Sequence, residues 1–364
     1  MCRISEIWFR VQRSLFHVRE CLPAVTEQQR RLIAVLEVVR IEEHVGKAHW
    51  HWLGRKPKDR KALARAFIAK ACYNLPRTKD LVERLRTDKT LRQLCGWEYS
   101  GQVPSESTFS RAFADFARTG LGDRTHEALV KLYLGDEPVW HLSRDSSEAP
   151  AREKPVRKVK AADRPKTKRK RGRPRKGEVR PLKEPTRMER QYGQTVAEAV
   201  AELPAVCDVG TKIDSQGNRR YWVGYKFHVD VADGGIPISA LTTSASLHDS
   251  QASIPLARMS AERVTSWYDL MDSAYDAGLI YKVSRELGHV PIIEPNDRGH
   301  GVEPMEPDRE RRYGNRTSAE RFFSRLKDDY GGRMIRVKGQ SKVHAHLMFG
   351  LLAVFAEAIL GLVT

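Results

Sequence analysis

Apolar residues in the first 135 positions recur at the spacing of helices. Thr26 and Gln29 match a capping box ahead of a run of apolar residues three or four positions apart. Similar apolar faces recur over residues 63–71, 81–91 and 105–116, with prolines and glycines between them. The pattern predicts an all-α region that ends near residue 135.

The period changes to two beyond that point. Apolar and polar side chains alternate over residues 225–231, and two glycines then lead into a second apolar stretch over 236–240, which predicts a hairpin. Apolar runs at 139–142, 267–271 and 290–293 predict three further strands, with a helix of about a dozen residues between the last two. The second region is therefore predicted to be mixed α/β.

The C-terminal apolar run, residues 347–363, contains Glu357 and is marginal in length for a bilayer span. It predicts a buried helix. The five cysteines lie far apart and show neither metal-finger nor redox spacing, which is typical of a protein of the reducing cytosol. A cytoplasmic protein without a membrane partner is expected.

The chain is strongly basic. Its 64 Lys and Arg residues against 46 Asp and Glu residues give a net charge of +18. Residues 152–190 contribute +13 of it and contain few apolar residues, so they predict a flexible basic arm and a polyanionic partner such as DNA. Within the arm, Arg171 and Arg173 flank a glycine, which fits either a minor-groove contact or a nonspecific linker. The arm separates a first strand, 136–151, from the remainder of the α/β region, 191–364.

Two predicted strands end on an aspartate, at Asp145 and at Asp272. Carboxylates at the ends of neighbouring strands can converge, and Mg²⁺ or Mn²⁺ prefers such oxygen ligands. Asp269 or Asp276 could replace Asp272, although Asp276 is also placed to cap the next helix. Asp249 could flank such a site or cap a helix.

A second cluster lies near the C-terminus. On one helix, Arg316 would lie about 40° from Glu320, and Tyr313 and Lys327 would lie within about 20° of it. If this stripe of side chains faces water, its members form ordinary surface ion pairs. If it faces the aspartates, Glu320 completes a metal site and the cations bind phosphates.

These residues resemble the Asp-Asp-Glu (DDE) transposases of bacterial insertion sequences. Tyr313, Arg316, Glu320 and Lys327, separated by two, three and six residues, match the C-terminal signature of that family in full. The segment that follows Asp272 is similar to the second-aspartate segment, although Ala274 stands where the family usually has glycine. Segments 224–228 and 247–250 are similar to two further segments of the family.

The first-aspartate segment resembles the family around Arg144 and Asp145 but has Ala149 and Pro150 where an aliphatic residue is usual, and 127 residues separate Asp145 from Asp272. The helical region resembles the DNA-end-binding domain that precedes the catalytic core, particularly over 103–111. Its segment ending at Arg111 is either a DNA-recognition helix or an ordinary scaffold helix.

The resemblance implies a fold and a chemistry. The fold is a ribonuclease H-like mixed α/β sheet with flanking helices, preceded by an all-α DNA-binding domain at residues 1–135. Asp145, Asp272 and Glu320 would be the catalytic residues and would bind two Mg²⁺ ions, replaceable by Mn²⁺, about 3.5–4 Å apart. Tyr313, Arg316 and Lys327 would contact DNA.

The expected function is a transposase that binds the terminal inverted repeats of its own element, cleaves them and transfers strands to target DNA. Synapsis of two ends implies a homodimer on double-stranded DNA in the nucleoid. Two alternatives are a DNA-binding derivative without catalysis and a ribonuclease H-like nuclease that cuts without joining.

Overall fold

The computed structural model describes residues 25–46, 58–156, 184–213, 216–297, 301 and 304–362. The first described region is helical, as predicted. Its helices are α1 (Glu27–Val39), α2 (Arg60–Cys72), α3 (Thr78–Thr87), α4 (Lys89–Cys95), α5 (Glu106–Arg118) and α6 (Leu121–Leu134). The predicted capping box is confirmed, since the Thr26 side chain accepts from the backbone of Gln29 and the Gln29 side chain accepts from the backbone of Thr26.

The second region is built on one mixed sheet of six strands in its described part. The strands are β1 (Val139–Pro150), β2 (Asp208–Ile213), β3 (Arg219–Ala232), β4 (Ile236–Ser244), β5 (Ser266–Met271) and β6 (Val290–Ile293). Strand β1 lies in the middle, antiparallel to β3 and parallel to β5, and β6 continues the parallel part. The predicted hairpin is confirmed as β3 and β4, and the mixed ribonuclease H-like class is confirmed with it.

Strand β1 continues beyond Asp145. The placement of Asp145 at the end of a strand was wrong, because the pairing with β3 extends as far as Gly224 and β1 runs to Pro150, within the range 136–151 given to the first strand. Gly224 has φ 153°, and a Cβ there would lie 2.3 Å from the carbonyl oxygen of Ala149, so only glycine permits this close approach of the two strands. Asp145 therefore lies inside a strand rather than at its end.

Helices cover the sheet. They are α7 (Arg187–Tyr192), α8 (Val196–Ala201), α9 (Ser250–Ala261), α10 (Gly278–Glu286), α11 (Pro307–Tyr313), α12 (Thr317–Asp329) and α13 (Gln340–Gly361). Helix α7 includes the last residues of the predicted basic arm, because Thr186 provides it with a capping box. The expectation of one helix carrying Tyr313 to Lys327 was wrong, since a 3₁₀ turn at Gly314–Arg316 separates α11 from α12.

Helix α13 is the buried C-terminal helix that the sequence predicted. It packs against α1, α2, α5 and α6 on one side and against β4 and α12 on the other, so one apolar core joins the helical region to the sheet. Gly350 permits the contact with the end of α12, because a Cβ there would lie 2.8 Å from the carbonyl oxygen of Tyr330. Of the described helices, α13 is the one long and apolar enough to cross a bilayer, and most of that apolar stretch is buried in the protein.

Candidate active site

The two predicted aspartates lie side by side because of strand register. In the parallel pairing of β1 with β5, Arg144 is the partner of Met271. The next residue on each strand is an aspartate, Asp145 on β1 and Asp272 at the end of β5. Because successive side chains alternate between the faces of a sheet, both carboxylates project from the face opposite Arg144.

A buried ion pair joins β1 to β3 on the opposite face. The guanidinium of Arg144 donates to both oxygens of Asp230 on β3, at 2.8 and 2.7 Å, and both side chains are almost fully buried. Ser253 on α9 accepts from Arg144 at 3.1 Å, and Ser260 donates to Asp230 at 2.7 Å. This network ties β1, β3 and α9 together directly behind the aspartates.

The environment of the aspartates disfavours their negative charge. Burial and the charge of nearby Asp272 together raise the pKa of Asp145 to about 6, against the opposing effect of a hydrogen bond of 2.7 Å from the backbone of Ser146. Burial also raises the pKa of Asp272, although the backbone of Ala274 donates to this carboxylate at 3.0 Å. Two partly desolvated carboxylates at one place are typical of a site that receives a cation.

Arg316 lies between the aspartates and Glu320. Its guanidinium donates to Glu320 at 2.7 Å and lies 5.7 Å from the centre of the Tyr313 ring. Burial alone would lower the pKa of Arg316, but four groups outweigh it and raise the value: Tyr313, Asp145, Glu320 and Asp272. The 3₁₀ turn that carries Arg316 is attached to β1 by a hydrogen bond of 3.2 Å from Ser143 to the carbonyl oxygen of Asn315.

Tyr313 and Glu320 extend this cluster at the edge of the site. The Tyr313 hydroxyl donates to Glu294, which directly follows β6, at 3.1 Å. The Glu320 side chain is 53% exposed, so it lies at the rim, with its oxygen on Arg316. Arg316 thus faces the aspartates, while Tyr313 and Glu320 contact Arg316 at the edge of the site.

Lys327 lies away from this cluster. It is half-buried near Glu148 on β1, Lys212 on β2 and Arg333. Burial lowers the pKa of Lys327 and the two other cations lower it further, whereas Glu148 favours its charged form. Three cations gather here, beside the site rather than in it.

Sequence reasoning left the role of Asp249 open, and the structure places it beside the aspartates. Asp249 occupies the N-cap position of α9 but makes no side-chain cap hydrogen bond. It accepts instead from Lys226 at 2.9 Å, and its charge disfavours ionisation of both Asp145 and Asp272. The similarity of segments 224–228 and 247–250 to the family was the signal for this pair.

The alternatives to Asp272 are engaged elsewhere. Asp269 is fully buried on the Arg144 face of β5, where it accepts from Ser284 at 2.5 Å and lies 3.2 Å from His289. Asp276 accepts from the backbone of Asn296 at 3.1 Å and does not cap α10, whose N-cap position is Ala277.

Of the remaining predicted DNA contacts, Arg111 is not part of this cluster. Arg111 is exposed on α5 and donates to the carbonyl oxygen of Ser107 at 3.3 Å. Arg171 and Arg173 lie outside the described residues.

Two family models match the chain. One, described as Transposase domain (DUF772), matches residues 18–115, and the other, described as Transposase DDE domain, matches residues 204–356. The chain belongs to the insertion-sequence DDE transposases. No curated protein sequence and no solved structure matches it.

Membership of this family brings a general function. Transposases act on DNA and cut it, and DDE transposases generally use divalent metal ions. They are normally soluble cytoplasmic proteins. The matched range 204–356 contains Asp272 and Glu320 and begins after Asp145. The position of Asp145 beside Asp272 therefore rests on the register of β1 with β5 and not on the match.

The donor set of this transposase fits a hard divalent cation. Asp145 and Asp272 offer carboxylate oxygens, and the hydroxyl of Tyr275, buried close to both, has no hydrogen-bond partner within the described chain. Within residues 25–46, 58–156, 184–213, 216–297, 301 and 304–362, no three acidic, His or Cys side chains are already grouped to hold an ion. Glu320 is the reason, since it pairs with Arg316 instead of pointing to the aspartates.

The raised pKa of Asp145 predicts a stability cost of this site. Because the folded-state pKa, about 6, exceeds the usual value of 3.8, protonation of Asp145 stabilises the fold, and this stability is lost as pH rises from about 4 to about 6. Asp145→Asn should therefore raise the free energy of unfolding at pH 7.5 by about 3 kcal/mol and leave it unchanged near pH 4. Urea unfolding in EDTA at both pH values measures this. Equal effects at the two pH values, or an equal effect of the exposed Asp329→Asn, would contradict it.

Proposed function

We propose that this transposase binds the terminal inverted repeats of its insertion sequence and carries out metal-dependent cleavage and strand transfer there. The observation that supports this most directly is the register that sets Asp145 and Asp272 side by side, with Arg316 near both and paired with Glu320. Oxygen ligands on one side and a guanidinium on the other are what a phosphodiester and its metal ions need.

Asp145, Asp272 and Glu320 are the residues that would hold two Mg²⁺ ions, with Mn²⁺ as a substitute. When bound, such ions activate a water or a 3′-hydroxyl and stabilise the leaving oxygen. The chain itself supplies rigid positions for the ligands, because Asp145 lies within a central strand and Asp272 accepts from the backbone of Ala274.

Arg316 gives the site a way to respond to DNA. Arg316 donates to Glu320 at 2.7 Å and lies in the electrostatic field of the aspartates. A phosphate offers the guanidinium a bidentate partner, so the scissile phosphate would compete with Glu320 for Arg316. Release of Glu320 toward the aspartates would then complete the ligand set only when DNA is present. The ring of Tyr313, whose centre lies 5.7 Å from the guanidinium, would orient Arg316.

The two alternative functions fit less well. A binding-only derivative would have no need for carboxylates kept in an unfavourable environment, yet Asp145 and Asp272 are both desolvated. A nuclease that cuts without joining shares this site, and its distinction from a transposase lies in the products.

Incubation of the protein with DNA from the two flanks of its gene, in Mg²⁺, Mn²⁺ or EDTA, tests the proposal. We expect cuts at one defined position in each flank in the presence of metal, and joined products when target DNA is added. Cuts without joined products would support the nuclease. Tight binding of the flanks without cuts in either metal would support the binding-only derivative. A dimer of the protein is expected on paired ends, measurable by light scattering.

The cations around Lys327 are expected to bind the DNA backbone beside the site. Lys327→Gln should weaken binding of flank DNA by about three- to ten-fold and reduce the slope of log affinity against log salt by about 1, because one phosphate contact is lost. Fluorescence anisotropy at several salt concentrations measures both values. Lys282→Gln, on the Tyr192 ring at α10, removes the same charge elsewhere and should change neither. An unchanged salt slope for Lys327→Gln would rule out the contact.

A further inference from the structure

A cavity of about 420 Å³ lies where the helical region meets the C-terminal part of the chain. Its walls come from α2, the start of α3, α5, the segment after α12, and α13. None of the candidate active-site residues lines it. The volume is within the range of small-molecule sites, about 300–1,000 Å³.

One wall of the cavity carries a buried amine. Lys70 on α2 is only 8% exposed, and no ion pair or side-chain hydrogen bond joins it to any other residue of the described chain. Asp80, whose charge favours the protonated amine, is itself held by Arg77 at 2.8 Å. Burial lowers the pKa of Lys70 to about 8, which still leaves most of it charged at pH 7. A buried charge that makes no ion pair costs stability unless an anion binds beside it.

The rim of the cavity repeats this charge. Its exposed cations come from the N-cap and first turn of α3, from α13 and from the segment before α13: Arg77, Lys79, Arg336, Lys338 and Lys342. Glu106 on α5 is the one carboxylate among the lining residues. Apart from Arg77, these cations have no ion-pair partner within the parts of the chain that the structure describes. The rim therefore favours an anion strongly.

The floor of the cavity is aromatic. Phe67, Phe113 and Phe349 meet there with ring centres 5.0–6.0 Å apart. An inorganic anion alone would leave this apolar surface unmatched. A ligand that combines a flat ring with a phosphate matches both parts, because bases stack on aromatic side chains and phosphates pair with lysine and arginine.

We infer that this cavity binds a single unpaired nucleotide, with its base on the phenylalanine floor and its phosphate at Lys70 and the cationic rim. The inference rests on the proposed function in one respect, that DNA is the natural source of such a nucleotide. An unpaired residue of a bound DNA strand would thus be held by the helical region and α13 together, away from the carboxylates.

Two DNA probes with the same duplex, one blunt and one with a short thymidine overhang, test this by fluorescence anisotropy in EDTA. The intact protein should bind the overhang probe at least about five-fold more tightly than the blunt probe. Lys70→Met, which places an apolar chain in the buried position, should remove this preference and leave blunt binding unchanged. Lys61→Met removes an exposed charge from the same helix and should keep the preference.

Ser110→Trp is a second variant, because Ser110 lies at the exposed edge of the cavity and a larger ring there fills it without a change of charge. It should also remove the preference, and it decides the matter if Lys70→Met does not fold. Thymidine monophosphate identifies the source of the nucleotide: if it raises the melting temperature of the intact protein but not of Lys70→Met while the overhang gives no preference, the site takes a free nucleotide. The inference is overturned if the intact protein shows neither an overhang preference nor a rise in melting temperature with thymidine monophosphate, or if Lys70→Met loses binding of both DNA probes equally. Because cleavage is absent in EDTA, failure here leaves the proposed transposition chemistry untouched.

Discussion

Asp272→Asn and Asp145→Asn are each expected to lower the rate of end cleavage by at least about a thousand-fold. Metal ions supply several kcal/mol of charge stabilisation in phosphoryl transfer, and each 1.4 kcal/mol is worth about ten-fold in rate. An amide keeps the size of the side chain but loses the charge that holds the ions. Single-turnover cleavage of flank DNA in Mg²⁺ measures the loss.

Glu320→Gln should cause a loss of similar size, for a partly different reason. It removes one metal ligand and also the partner that holds Arg316 at 2.7 Å before DNA binds. Binding of flank DNA in EDTA should therefore be equal to or tighter than that of the unchanged protein, while cleavage disappears. The exposed Asp329→Asn, near the end of the same helix, should alter neither measurement.

One outcome would reassign the first ligand. Asp249 lies close enough to raise the pKa of both aspartates, and Lys226 holds it at 2.9 Å. If Asp249→Asn abolished cleavage while Asp145→Asn left it intact, the ligand would be Asp249. The expected result is the reverse, with Asp249 affecting the site through Lys226 and the position of the Asp145 strand.

Sequence alone predicted the two aspartates and their neighbouring strands, because apolar runs that end on a carboxylate are visible in one dimension. It could not predict the register, which decides whether the carboxylates face each other. The register of β1 with β5 brings Arg144 beside Met271, and behind it β1 is held to β3 by the pair of Arg144 with Asp230, which are 86 residues apart in the chain and meet only in the folded protein. Their buried pairing has no local sequence pattern.

The helical stripe shows a second limit. Angular position on a helix predicted that Lys327 shares a face with Glu320, and seven residues at 1.5 Å each place it about 10 Å further along the axis. Alignment on a face is therefore not proximity, and Lys327 lies with Lys212 and Arg333 instead of with the aspartates. Tyr313 reaches the site through a 3₁₀ turn, not through a continuous helix, which periodicity does not detect.

Arg144→Met is expected to lower the free energy of unfolding by about 3–5 kcal/mol. It leaves the Asp230 carboxylate, which is fully buried, without its cation, and the loss of one partner of a buried pair costs about this much. Asp230→Leu should lower the free energy of unfolding by a similar amount, because it leaves the buried guanidinium of Arg144 without its carboxylate. Urea unfolding monitored by circular dichroism measures both. Arg311→Met, which breaks an exposed pair with Asp308, should cost less than about 1 kcal/mol.

The double variant Arg144→Met with Asp230→Leu separates a stabilising pair from one that sets register. Apolar replacement of a whole buried pair is often neutral, so most of the lost stability should return. Cleavage should not return with it, because the pair also aligns β1 with β3 and α9 behind Asp145. If both stability and cleavage recovered, the pair would serve packing alone. If neither recovered, the hydroxyls of Ser253 and Ser260, left without their charged partners, would account for the cost.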